Sequence, residues 1–297
     1  VTSLLAALGA AFFYAIANLA QHRAAAAIPH GEVGHLALMG RLVRTRGWLL
    51  GKLADLAALI LQTAALARGS LLVVQAVLAS GLVITLVMEA GIQGRMLHRR
   101  AWLGASGVVV GVVMLVALGD PSEGRLVVPW GAWVMAIALT VVAVVLPGMV
   151  EHRVSRRTAS TLWAAATAAC FALDGAFLKN AASIARDRGW GPAAALGLFG
   201  FVVAATVGNV VLQRAFHLAP LGASVPTLAA AQPVAAGLLG WLLFQEALAP
   251  GASARLGGLL GVALMVGGAV LTSRTPAAPP GALAVAEDWD RFVPQDG

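Results

Sequence analysis

Asp55 and Asp174 are the residues of this chain best suited to chemistry, because each lies inside a stretch of otherwise apolar sequence. A charge at the centre of a bilayer costs roughly 2.5–3.5 kcal/mol on insertion scales, so such a carboxylate is either paired or used. Unpaired, it can carry a proton or bind a cation. Lys52, one turn before Asp55, offers a partner, although its long stem can also snorkel to the surface. Asp174 lies five residues before Lys179, and Asn18 stands in the matching place before Arg23. A second pattern is a polar stripe. Thr206, Asn209 and Gln213 are spaced i, i+3, i+7 and share one helix face, and the same register gives Asp55, Ala58 and Gln62. Both faces are expected to point into a helical bundle, either lining a substrate pathway or bonding helix to helix.

The elements that must position these groups are membrane helices. Of 297 residues, 60% are hydrophobic and 11% charged, where a soluble domain is about half apolar and a quarter charged. Lipid is therefore the expected solvent and the bilayer the expected partner. Basic residues outnumber acidic ones 20 to 13, but they lie in short loops between apolar runs, which is a topology signal rather than a nucleic-acid footprint. Cys170, the single cysteine, leaves no disulfide framework and no Cys-rich metal site. His30, Glu32 and His35 are close in sequence but are read as loop residues, and no metal is assigned. No nucleophile elbow, phosphate loop, HExxH or CxxC occurs, so neither an enzyme nor a cofactor is expected.

About nine apolar runs have the length a crossing helix needs: residues 4–20, 48–67, 70–91, 102–119, 130–150, 158–178, 193–213, 221–244 and 256–272. They fall into four, one and four, and the last four echo the first. Units separated by an odd number of crossings are inverted, an arrangement common in secondary transporters. The expected organisation is a first repeat (1–119), a linking fifth span with its loops (120–157), a second repeat (158–273) and a disordered cytoplasmic tail (274–297). The first run is read as a retained span, since no basic residue precedes it. Arg23, Arg41, Arg44, Arg99, Arg156 and Arg214 fall on one side, placing the N-terminus outside and the C-terminus in the cytoplasm of a plasma-membrane protein. Residues 30–46 read as a cytoplasmic loop rather than a degenerate tenth span, because arginines make insertion costly. Residues 179–192 read as an outer loop, and Glu89 and Glu246 as interfacial charges at span ends. Pro226 and Pro233 are expected to bend the eighth span.

The fourth helix of each repeat is glycine-rich: Gly104, Gly107 and Gly111 in one, Gly257, Gly258 and Gly261 in the other. Such spacing lets backbones approach closely, so the fourth and ninth spans are expected to pack together.

The segment from HLAPLGAS through AAQPVAAGLLGWLLFQEALAP to RLGGLLGVALMVGGAVL resembles the second half of EamA-type domains of the drug/metabolite transporter superfamily, with Glu246 matching a terminal Glu. In the first half Gly94 stands where that Glu would fall. Asp55 followed by ALARGSLLVVQAVLAS is similar to NIPA-like magnesium transporters, with Ala67-Arg68 in place of their Ala-Pro turn. The four-helix halves also resemble small multidrug resistance proteins, whose first-helix carboxylate Asp174 would match and whose last helix mediates dimerisation, which leaves a homodimer open. The resemblance implies an all-α transporter with two inverted four-helix repeats joined by a central helix. It would move a small metabolite, drug-like solute or cation by alternating access, with a cavity lined by spans 1–3 and 6–8. Two competing readings are a magnesium pathway and a non-transporting membrane scaffold.

Overall fold

The structure is a computed structural model that describes residues 2–26, 45–92, 99–122, 124–125, 128–218 and 221–273. The segment 30–44 and the tail 274–297 lie outside the described residues. The chain is all-helical, with no strand among the described residues. Its helices are α1 (Thr2–Ala26), α2 (Arg46–Leu66), α3 (Leu71–Ala79), α4 (Gly81–Ile92), α5 (Arg99–Ala117), α6 (Trp130–Val150), α7 (Arg156–Arg188), α8 (Pro192–Leu218), α9 (Leu221–Leu239) and α10 (Ala252–Ser273). A 3-10 turn (Glu151–Arg153) follows α6, and a π turn (Gly240–Phe244) ends α9.

Seven of the described helices are long and apolar enough to cross a membrane: α2, α5, α6, α7, α8, α9 with its π turn, and α10. This is the architecture of an all-α multi-pass membrane protein. Of the two further expected spans, the first lies within α1, a 25-residue helix, and the third is divided between α3 and α4. The expected third span is broken at Ser80. There Ser80 N donates to Val77 O (3.0 Å) and Val83 N to Ser80 O (2.9 Å), tightening the turn between α3 and α4. The expected sixth span is longer than read. α7 starts at the Ser155 cap and runs 33 residues to Gly189 (φ 77), about 50 Å at 1.5 Å per residue. The residues expected to form a loop from 179 onward are therefore helical as far as Arg188, since no Gly or Pro interrupts them before Gly189.

Small residues face inward and large ones outward. α1 buries Ala7, Ala10, Ala11 and Ala15 while Leu5, Leu8 and Phe12 are exposed. α7 buries Ala164, Ala168, Ala172 and Ala176. In lipid the exposed Leu and Val cost nothing, and alanine lets helices approach to where dispersion is strong. α1 packs on α2, α7 on α8, and each of α1 and α7 also meets the third helix of its own group.

α5 and α10 form an antiparallel glycine seam. Gly107 faces Gly268 and Gly111 faces Gly261, so residue numbers rise on one helix as they fall on the other. A Cβ at Gly111 would lie 2.5 Å from Gly261 O, and one at Gly261 would lie 2.7 Å from Gly111 O. A Cβ at Gly268 would lie 2.5 Å from Gly104 O. At the other end Gly257 is covered by Leu118 and Gly258 by Leu248. Backbone cannot yield as a flexible side chain can, so Gly111→Leu should cost roughly 1–3 kcal/mol or unseat the pair. Gly131→Ala, where a Cβ meets nothing within 4 Å, should stay within about 0.5 kcal/mol. Thermal unfolding midpoints of the purified variants check this; equal midpoints would refute a seam set by backbone contact.

Candidate functional site

The deepest charges in the structure are Lys179 and Glu246. Lys179 Nζ donates to Glu246 Oε1 at 2.5 Å, with both side chains 2% exposed. Glu246 also accepts Leu71 N on Oε1 (2.6 Å) and Leu72 N on Oε2 (3.2 Å). These are first-turn amides of α3, which have no partner within their own helix, and a carboxylate there also suits the helix dipole. Ser70 completes the cap by accepting Val73 N (3.1 Å). Gln245 (φ 55) turns the chain out of α9 in the left-handed conformation. Gly240 leaves the space the carboxylate needs, since a Cβ there would lie 2.5 Å from Oε2. The Lys179 ammonium also stands 4.6 Å from the Phe244 ring centre, and Trp133 stacks on Phe177 at 4.6 Å beside it.

A loop braces this joint. Ser122 N donates to Ala247 O (2.9 Å), Ala249 N to Gly119 O (2.9 Å) and Arg125 N to Phe244 O (2.6 Å). Arg125 Nε adds a bond to Leu243 O (3.2 Å). One turn along α3, Gln75 is buried and accepts Gln232 Nε2 from α9 (3.1 Å). Glu246 is thus no interfacial charge, and Lys179 no loop residue. Their pairing spans 67 positions, and only the terminal-Glu resemblance pointed to either.

The second polar group involves α1, α2 and α7. Tyr14 OH donates to the buried Gln62 at Oε1 (2.7 Å). Tyr14 also lies within electrostatic range of Asp174 and Asp55. Of the sequence-derived candidates, Gln62 therefore bonds a tyrosine that the sequence reading passed over, and Asp174 and Asp55 lie within electrostatic range of it. Asp174 is half-buried. Asp55 accepts Lys52 Nζ at 2.8 Å, with side-chain exposures of 29% and 45%.

The remaining stripe faces elsewhere. Thr206 and Asn209 are exposed. Thr206 Oγ1 donates to Val202 O (2.7 Å) and Asn209 Nδ2 to Ala205 O (2.8 Å). Each satisfies itself on its own helix, which removes the penalty that was expected to turn it inward. Asn18 and Gln213 lie in α1 and α8, but their side chains fall outside the described residues. A cavity of about 700 Å³ lies away from the expected one, between α6, α7 and α8, and does not reach Asp55 or Asp174. α6 and α8 both lean on α7 and hardly on each other, which leaves the cleft.

The chain is 28% identical over 251 residues to an uncharacterized protein of Corynebacterium glutamicum, a match covering 82% of this chain and 85% of that one. No family model matches the chain. No solved structure matches it.

Removing one partner of a buried ion pair leaves the other uncompensated, at roughly 3–5 kcal/mol. Lys179→Met should therefore lower the unfolding midpoint sharply. Adding Glu246→Gln should recover part of the loss, because the amide oxygen still accepts Leu71 N while the lone charge is gone. A double variant no better than the single would show that the pair acts only through packing.

Proposed function

We propose that the chain is a secondary transporter, of the drug/metabolite transporter superfamily, that moves a small metabolite, drug-like solute or cation by alternating access. The observation that carries this reading is the Tyr14–Gln62 hydrogen bond between α1 and α2, with Asp174 and Asp55 within electrostatic range of Tyr14, inside a multi-pass helical bundle. A carboxylate kept at such a place is suited to exchanging a proton or cation. In this reading Asp174 is the exchange site, Tyr14 and Gln62 hold its polar surroundings, and Asp55 with Lys52 forms the approach. The Lys179–Glu246 joint closes the other side. The substrate crosses unchanged, with no enzymatic step and no cofactor.

The reading includes two inverted four-helix repeats, with α5 and α10 closing the back. It places the N-terminus outside and the C-terminus in the cytoplasm of the plasma membrane. The antiparallel run of the glycine seam supports the inversion. A non-transporting scaffold is the competing reading, favoured by the position of the α6–α8 cavity away from both carboxylates.

A substrate panel screened by thermal shift supplies the solute for uptake into proteoliposomes. Asp174→Asn should lower gradient-driven uptake by about tenfold or more, the effect of losing roughly 1.4 kcal/mol of coupling, and Tyr14→Phe should lower it less. Uptake unchanged in both Asp174→Asn and Asp55→Asn would remove the carboxylates from the mechanism. Absence of uptake for every solute that shifts the midpoint would leave the scaffold.

A further inference from the structure

The cleft between α6 and α8 is floored by α7, and its two ends differ in chemistry. Its deep end is apolar, lined by Val145, Leu173 and Val207. At its mouth stand Asn180, Ser183, Asp187 and Arg188. Asn180 and Ser183 are spaced i, i+3 and so share the face of α7 that floors the cleft. Ser183 is 3% exposed, and among the described residues neither it nor Asn180 meets a hydrogen-bonding partner. Two polar side chains left unsatisfied in an apolar, lipid-bordering cleft are costly unless something else bonds to them. Asp187 is already held by Arg186 (2.7 Å), which leaves Arg188 as the cation of the rim.

We propose that this cleft binds one glycerophospholipid of the surrounding leaflet. Its acyl chain lies between α6 and α8, its glycerol esters accept hydrogen bonds from Asn180 and Ser183, and its phosphate meets Arg188. The dimensions agree. From Trp130 to Val145 the α6 wall runs about 22 Å at 1.5 Å per residue, enough for an acyl chain within one leaflet of a core about 30 Å thick. Arg188 stands five residues beyond Ser183, about 7.5 Å along the axis, which suits the step from ester to phosphate. Trp130, in the cleft lining, and Trp190, two residues beyond Arg188, are both 73% exposed, as interfacial tryptophans are. Ordinary boundary lipid would call for none of these donors. The assignment is independent of whether the protein transports.

Native mass spectrometry of the full chain, extracted in mild detergent, tests it. The wild type should retain about one phospholipid per chain. The pair Asn180→Leu and Ser183→Ala, which removes the donors without filling space, should retain about tenfold less, as expected for losing two hydrogen bonds. Val203→Trp, which fills the cleft from the α8 wall, should do the same, while Val134→Trp, exposed on α6 and outside the cleft lining, should retain as much as the wild type. Because donor removal and filling act independently, misfolding of one variant leaves the other to decide. No retained phospholipid in the wild type, or equal retention in all variants, would overturn the proposal. So would a dimer that buries α6 and α8 against a second copy.

Discussion

The start of α3 is the constraint on which much of this structure depends. A helix beginning inside a bundle has amides that water cannot reach, and in a membrane protein such groups must find a partner within the protein. Glu246 supplies both acceptors, to Leu71 N and Leu72 N. That solution creates a buried negative charge, which Lys179 neutralises. The lysine can be there because α7 is still helical at position 179, where a loop was expected. The carboxylate can be there only because Gln245 turns left-handed and Gly240 has no side chain. The loop 119–125 then bonds the segment carrying Glu246 and covers it. One unmet backbone need thus fixes features on four segments of the chain.

The glycine seam answers a different need. Lipid supplies no hydrophobic force between helices, so association depends on close packing. α5 and α10 meet it by removing side chains where they touch, and α1 and α7 by using alanine. α6 has neither device. Its face toward α8 carries Ile137, Val141, Val144 and Val145, larger side chains than the glycines and alanines of the other pairs. The cleft follows from that difference in side-chain size.

Composition and apolar run length were enough to reach an all-α, multi-pass architecture, because transfer free energy is summed over whole segments and tolerates local error. The seam glycines were legible for a similar reason, since close approach tolerates few other residues. What sequence periodicity misjudged was which polar groups look inward. Thr206 and Asn209 form a regular stripe, yet each bonds a carbonyl one turn back and can face lipid. Lys179 looked like a loop residue and Glu246 like an end-of-span charge because the two partners are far apart in sequence. Tyr14 went unread because a lone tyrosine in an apolar helix gives no signal until Gln62 stands opposite it. Long-range pairing, rather than residue type, decides such cases.

α7 joins these features. Asp174 and Lys179 lie five residues apart on it, about 140° around the axis, so one faces the Tyr14 group while the other faces the α3 start. Asn180 and Ser183 lie on the floor of the cleft. A helix is rigid over such a distance, so no state can move one of these groups and leave the others in place. α7 packs broadly on α8 and α9 and over a much smaller face on α2. Arg186, further along α7, donates to Ala67 O just beyond α2, and Asp174 lies within electrostatic range of Tyr14. The Lys179–Glu246 pair tethers α7 to α3 and to the end of α9, where separation would strand a buried charge.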